Sequence, residues 1–440
     1  MTVLVQPDWL TVLRAEGAAA FERTGLPTQR QEAWKYTGLN RLKSLTFGPT
    51  PSPDGFAATL SPLGRGKIQT PSPQRGEGRG EGASEPHCLV FIDGHFDQEQ
   101  STIGALPPGV VLGSLKTHAA LLEPFLGKQA RPAQKPMVAL NTAWIEDGLA
   151  LIVPRGVTLD APVEVVFITG GDAARTSHPR HIVSLGDNAG AMLIERHLGG
   201  AEGGFANSVT EITLAAGANL RHYVAHTEAD AAIAVDTVSV EVGRDASYRS
   251  FALTAGGGLV RRETEVALVA PGAFAQVDGA YLVNGDRHAD TTILIDHQAS
   301  QCASRQTQKG VIGDHGRAVY QGKILVHPGA QKTDGYQLSQ TLLLSPQAEI
   351  DVKPELEIHA DDVKCSHGAT VGRLDEDALF FLRARGIPEG EARSLLIEGF
   401  IGGALDEIDR PAVRDAFGAI AADWLAQREK RGAGKTRGMI

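Results

Sequence analysis

A cysteine and a histidine two residues apart, Cys365 and His367, lie in the densest run of potential ligands in this 440-residue chain. The run reads His359-Ala360-Asp361-Asp362-Val363-Lys364-Cys365-Ser366-His367-Gly368. In an extended strand, residues two apart project to the same side. A thiolate and an imidazole held together could bind a soft or borderline metal such as iron. Two ligands do not complete a site, so a second chain, or an incoming cluster with its own sulfides, would supply the rest. Lys364 points to the opposite side and is not expected to lower the thiol's pKa. The structural alternative is that Cys365 and His367, with Val363 on the same side, simply face a core.

Other candidates are weaker. His288, Asp290, His297, His315 and His327 are scattered beside turn glycines and are expected on an outer, polar face. Gly432-Ala433-Gly434-Lys435-Thr436 imitates half of a phosphate-binding loop, but Glu429 stands where its first glycine belongs and no strand precedes it. Without a strand–loop–helix frame, backbone amides cannot converge on phosphates. No nucleophile elbow and no dinucleotide-binding glycine motif occurs. Cys88, Cys302 and Cys365 make no C-x-x-C pair, which argues against a disulfide framework, a structural zinc or a four-thiolate cluster within one chain.

The elements that must position Cys365 and His367 are mostly strands. A helix is expected over 7–24, closed by Gly25 and Pro27. The polar run 30–37 reads as a surface turn anchored by Trp34 and Tyr36. Residues 63–86 are dominated by Gly, Pro, Ser, Arg and Glu and read as a disordered insertion, with too little apolar content to offset ordering. Strands begin near 88, a short helix falls at 114–126, and a long β section starts near Pro136. Within it Val238, Val240 and Val242 alternate with polar residues. Turn pairs at Gly190-Ala191, Gly217-Ala218, Asp245-Ala246, Gly272-Ala273 and Gln298-Ala299 recur every 26 to 28 residues. Such a period without intervening helices points to a solenoid with one coil per repeat, a parallel β-helix; a β-sandwich is the alternative.

Ala348 to Ile358 alternates apolar and acidic residues. Beyond Gly372 the pattern turns helical, with Asp375 a plausible N-cap and Pro388 and Pro411 in first-turn positions. Segment 388–408 carries Leu395, Leu396, Ile397, Phe400, Ile401 and Leu405, apolar surface that either caps the solenoid or offers a groove to a partner.

The expected divisions are therefore a helical region over 1–62, the insertion 63–86, a mixed connection 87–135, a β-helix core 136–374, a helical domain 375–431 and a flexible tail 432–440. A net charge of −10 without any basic stripe argues against nucleic-acid binding. The N-terminus lacks a signal-peptide pattern, and no apolar run is long enough to span a membrane, so a cytoplasmic protein is expected.

The stretch 360–372, with Lys-Cys-Ser-His-Gly-Ala-Thr-Val at 364–371, followed by Leu-Phe-Phe-Leu-Arg-Ala-Arg-Gly-Ile at 379–387, closely resembles the SufD family of iron–sulfur cluster assembly scaffolds. Glu-Ala-Trp-Lys-Tyr-Thr at 32–37 matches that family's N-terminal signature. Residues 140–143, 152–157 and 342–345 fit its core. SufB-like sequences instead carry a glutamate-rich version of the 364–371 segment. The insertion 63–86 departs from the family pattern.

The resemblance implies a mainly β protein, a right-handed parallel β-helix flanked by N-terminal and C-terminal α-helical regions. It implies pairing with SufB through the last strands and docking of the SufC ATPase on the C-terminal helices. ATP-driven SufC dimerisation would rearrange the SufB–SufD interface. Cys365 and His367 fall on the family's functional pair there, with His367 the stronger candidate ligand for iron or a transient Fe–S cluster. It implies no catalysis and no nucleotide binding by this chain alone, and a possible homodimer in isolation. The competing readings are a β-helical polysaccharide-active enzyme, which would want paired carboxylates along the solenoid, and a purely structural homo-oligomer.

Overall fold

The computed structural model describes residues 7–44, 87–170 and 175–437. The segment 63–86, expected to be a disordered insertion, lies outside the described residues. Two long sheets alternate along the chain, parallel except for one antiparallel pair at the start of each, and from Phe205–Leu214 onward each strand pairs with the one two positions earlier, to form a β-solenoid of about eight turns. The first sheet runs from His95–Thr102 and His87–Ile92 to its last strand, Lys364–Gly372. The second runs from Val111–Ser114 to its last strand, Glu349–Ile358. Strands from 87–114 thus join both sheets ahead of Pro136.

The repeat is set by backbone geometry at one turn. Gly190, Asn219, Ser247, Phe274, Ala303, Asp334 and Lys364 stack in register on successive coils of the first sheet. Two residues before six of them stand Asn188, Gly217, Asp245, Gly272, Gln301 and Lys332, all with φ between 54° and 78°. Three of the turn pairs seen in the sequence fall on this ladder. The first and last do not: the equivalent positions are Asn188 and Gln301 rather than Gly190 and Gln298. Any residue that tolerates the left-handed conformation can mark the turn, so glycine alone is an incomplete guide. The next position inward holds Ala189, Ala218, Ala246, Ala273, Cys302 and Thr333, all buried. Cys302 is therefore the small residue its level of the stack requires.

Side-chain alternation gives each strand two working faces. In the first sheet Leu220 and Tyr248 point into the space between the sheets, while Tyr223, Phe251, Leu253 and Leu282 point outward. The outer face is covered by helices α5 (Glu389–Leu405) and α6 (Pro411–Arg437), through Ile397, Ile401, Leu405, Phe417 and Trp424. Each such side chain contributes about 1.5–3 kcal/mol on burial, so much of the apolar content of 388–408 is consumed by packing on the solenoid. α6 continues through 432–437, where the sequence suggests a flexible tail; nothing in that stretch is a proline, and the helix simply propagates.

At the other end α1 (Asp8–Thr24) packs on α3 (Pro136–Ala143) closely enough that a Cβ on Gly17 would sit 2.6 Å from the Ala143 backbone nitrogen. The short α2 (Leu115–Leu122) is capped by the Ser114 hydroxyl. The run 30–37 is more than a surface turn. Trp34 is buried with the Arg261 guanidinium 4.0 Å from its ring centre, and Arg261 donates to the Ala33 carbonyl at 2.8 Å. Thr37 is buried against His288 and Asp290, whereas Tyr36 is only half-buried. The run clasps the outside of the second sheet, which sequence spacing alone cannot reveal.

Candidate functional site

Cys365 and His367 both lie on Lys364–Gly372, the last strand of the first sheet. Their register partners on the preceding coil are Gly335 and Gln337. Cys365 is half-buried and packs against Ile324, Val326, Ala330 and Ala360 with Val363. Burial pushes its thiol pKa up, and the nearby charge of Asp334 adds to this. His367 is exposed. Its register partner Gln337 is fully buried, so His367 occupies a level that would be interior if another coil followed. Strand alternation puts the two on one side, and the terminal position makes one of them a core residue and the other a free imidazole.

Acidic groups border this end. On Glu349–Ile358, Glu357 accepts from Lys323 at 2.5 Å and pairs with His359 Nε2 at 3.0 Å. The Lys323 hydrogen bond, followed by that from His359, lowers the Glu357 pKa to about 2. The strand carries Pro354, which cannot donate to a further strand. Lys364–Gly372 has no proline, so its outer edge is the one best able to accept another strand.

Beyond it, α4 (Glu376–Arg383) starts at an N-cap as expected: the Asp375 carboxylate accepts from the amides of Asp377 and Ala378 at 2.9 and 3.1 Å. α4 exposes Phe380 and Phe381, 72% and 56% accessible, with the Arg385 guanidinium 3.4 Å from the Phe381 ring centre. Leu395 on α5 is also exposed. Among the described residues of α4 and α5, these three are the large apolar side chains left exposed, rather than the whole of 388–408.

The histidines expected on an outer face divide. His315 and His327 are outward and pair with Asp286 and Asp296. His288 is half-buried under Thr37. Asp290 and His297 are buried, the latter against the Ser304 hydroxyl at 2.9 Å. Strand alternation holds there: Asp290 emerges on the outer side and is covered by the docked N-terminal run, while His297 belongs to the inward set with Ile293 and Ile295.

That interior is not apparent from the sequence patterns singled out above. Phe91, Phe167, His197 and His226 stack on successive coils, with His197 and His226 ring centres 4.3 Å apart. Glu195 accepts from His222 at 3.0 Å, and His222 also bonds the Tyr248 hydroxyl at 3.0 Å. Burial raises the Glu195 carboxyl, but His222 and His197 outweigh it and hold it well below its usual range. Burial likewise opposes charge on His226, yet Glu228 and Asp236 raise its pKa to about 9. The signal that could have found it is His222-x-x-x-His226-x-Glu228 crossing the end of a strand, with every second residue inward.

Comparison with known proteins follows the same outline. Residues 167–400 match the family described as SUF system FeS cluster assembly, SufBD core domain, and residues 84–165 match the SufBD protein N-terminal region. These matches make the chain a protein of the iron–sulfur cluster assembly class. The chain belongs to the SufBD family and is of the SufD type. It is 31% identical to the iron–sulfur cluster assembly protein SufD of Escherichia coli over 86% of this chain and 84% of that one. It is 31% identical to a SufBD family protein of Synechocystis over 91% and 88%, and 30% identical to the chloroplastic protein ABCI7 of Arabidopsis thaliana over 92% and 83%. Among the described residues no helix is long and apolar enough to cross a membrane.

Proposed function

We propose that this chain is a non-catalytic scaffold subunit of a SufBCD complex, acting in the cytoplasm in iron–sulfur cluster assembly. It pairs with SufB along the free edge of Lys364–Gly372, docks the SufC ATPase on its C-terminal helices, and contributes His367 to an iron or cluster site at the shared interface. The observation that carries this reading is the open last coil. A strand without proline ends its sheet unpaired, and an exposed imidazole stands at a level that a further strand would cover. Addition of a partner strand would satisfy the edge amides and carbonyls and bring that strand's side chains beside His367. Cys365, half-buried with a raised pKa, is the less available ligand. The cluster or iron is cargo, completed by ligands from the partner.

The test is co-purification with the cognate SufB and SufC, then anaerobic cluster reconstitution. His367→Ala is expected to leave the complex intact and lower cluster yield several-fold, while Cys365→Ser has a smaller effect. An unchanged yield in His367→Ala would make this subunit purely architectural.

SufC docking is supported by the uncovered aromatic pair on α4. An exposed apolar pair of this kind beside a packed domain is a candidate contact surface. Phe380→Ser/Phe381→Ser is expected to weaken SufC retention at least tenfold, read by pull-down or calorimetry, with circular dichroism unchanged. Full retention would move the docking surface elsewhere.

A further inference from the structure

Between the two sheets, several coils from the open end, lies a set of groups that the scaffold role does not use. His197, His226 and Glu228 are buried, and one ligand atom from each lies within 4.8 Å of the other two. Nε2 of His197, Nε2 of His226 and Oε2 of Glu228 are enclosed and without a hydrogen-bond partner. Buried polar atoms are almost always satisfied, so orphans on three neighbouring residues call for an occupant.

The charges point the same way. Glu195, Glu228 and Asp236 are all buried, and Arg262, bonded to Asp236, is the guanidinium that faces them. Three carboxylates face one guanidinium, and the His222 imidazole bonded to Glu195 is another group that can carry a positive charge there; with His222 protonated one negative charge remains, and with it neutral two, in a space where an unbalanced charge is costly. A proton on His226 would offset one; a divalent cation offsets up to two.

Distances also fit. His197 Nε2 stands 3.5 Å from Glu195 Oε2 and His226 Nε2 3.8 Å from Asp236 Oδ2. These are long for hydrogen bonds. Two ligands each about 2.1 Å from a tetrahedral ion stand roughly 3.4 Å apart. His226 Nδ1 is 3.0 Å from Glu228 Oε1, near the spacing of two neighbouring ligands on one small ion, while Asp236 stands at the ring's other nitrogen, where a carboxylate orients a metal-binding imidazole.

We propose that this chain holds one borderline divalent cation, zinc or ferrous iron, inside the solenoid, with His197, His226 and Glu228 as ligands and Glu195 completing the shell. Mixed imidazole and carboxylate donors select that class over magnesium or calcium, which prefer all-oxygen shells. The enclosed position means that the ion is captured as the coils close and exchanges slowly afterwards. It is a resident ion, distinct from cargo bound at the last strand.

The test is metal content of the full-length protein by plasma mass spectrometry, after dialysis against a chelator under anaerobic conditions. About one zinc or iron per chain is expected to survive dialysis and to be released on unfolding in urea. His367→Ala/Cys365→Ser should retain it, and Glu228→Gln/His226→Gln should lose it. Refolding the wild type with zinc or ferrous ion alone should raise Tm by several degrees relative to refolding in chelator. The shape of the X-ray absorption edge, with imidazole scattering, identifies the donors in the wild type without any variant. Less than 0.1 metal per chain, both as purified and after refolding with metal, overturns the proposal. So does loss of the ion in His367→Ala/Cys365→Ser, or an absorption spectrum without imidazole. If protons fill the deficit, His226 carries one as an imidazolium and no metal is retained.

Discussion

Arg180→Met is expected to lower the unfolding free energy by about 3–5 kcal/mol, the range for breaking a buried ion pair from one side. Arg180 is fully enclosed and binds Glu211 twice, through Nε at 3.0 Å and Nη2 at 2.7 Å. It also donates to the Ala130 carbonyl at 2.8 Å, to Asn141 Oδ1 at 3.2 Å and to Thr142 Oγ1 at 3.3 Å. Glu211 in turn accepts from the amides of Gly127, Gln129 and Ala130 at 2.7 to 3.0 Å. The pair therefore ties the 127–130 loop and α3 to the second sheet. Methionine fills similar volume but leaves the Glu211 charge uncompensated and the Asn141 and Thr142 oxygens short of a donor. Urea titration of the two proteins side by side measures the loss, and hydrogen exchange should show it concentrated at 127–143. A change below 1 kcal/mol would mean that water reaches Glu211 and that the 127–130 loop packs loosely on the sheet.

The second large effect is a gain. Asp278→Asn is expected to stabilise the protein at pH 8 by about 2–4 kcal/mol, since each tenfold difference in proton affinity between the folded and unfolded chain is worth roughly 1.4 kcal/mol. Burial raises the Asp278 pKa to about 7, and the nearby Glu407 carboxylate pushes the same way against hydrogen bonds that lower it. Those bonds come from the Thr307 amide to Oδ1 and the Gln276 side-chain amide to Oδ2, both at 2.6 Å. The folded pKa is thus above the unfolded one. Between about pH 4 and 7 the native state keeps a proton that the unfolded chain has released. Stability from this group is fully present below about pH 4, falls as pH rises through about 7, and is flat beyond. Asparagine keeps an acceptor for Thr307 and removes the titration, so its profile should lack that slope and meet the wild type near pH 4. Parallel profiles for the two proteins would show that Asp278 is solvated. Asp278 sits under the α5–α6 connection, where Gln276 also reaches Glu407 at 3.2 Å, so the same slope should appear in release of the C-terminal helices from the solenoid.

The solenoid is legible in the sequence because its causes are local. A residue that tolerates positive φ followed by a small inward residue, once per coil, is written into the chain at Gly217-Ala218, Asp245-Ala246 and Gly272-Ala273. The N-cap at Asp375, the helix that follows Pro388 and the one that begins at Pro411 are legible for the same reason. The 364–371 run carries the family. Alternation also gives the shared side of Cys365 and His367, since a strand's period of two needs no tertiary information.

What only the tertiary structure decided is which of those positions has a neighbour. Cys365 became part of a small core because Ile324 and Ala360 close over it, while His367, two residues on, lacks a following coil. Asp290 and His297 went inside because the docked 32–37 run covers one and the solenoid encloses the other. The same holds for 388–408, whose apolar residues were spent on the outer face of the first sheet and left Phe380 and Phe381 exposed. Above all, the His197–His226–Glu228 group is assembled from two coils, facing Asp236 of the other sheet. Sequence periodicity specifies the face on which a side chain emerges. Its partners, its dielectric surroundings and its protonation follow from what the other coils bring alongside, a matter of contacts between residues about 30 positions apart that no local pattern encodes.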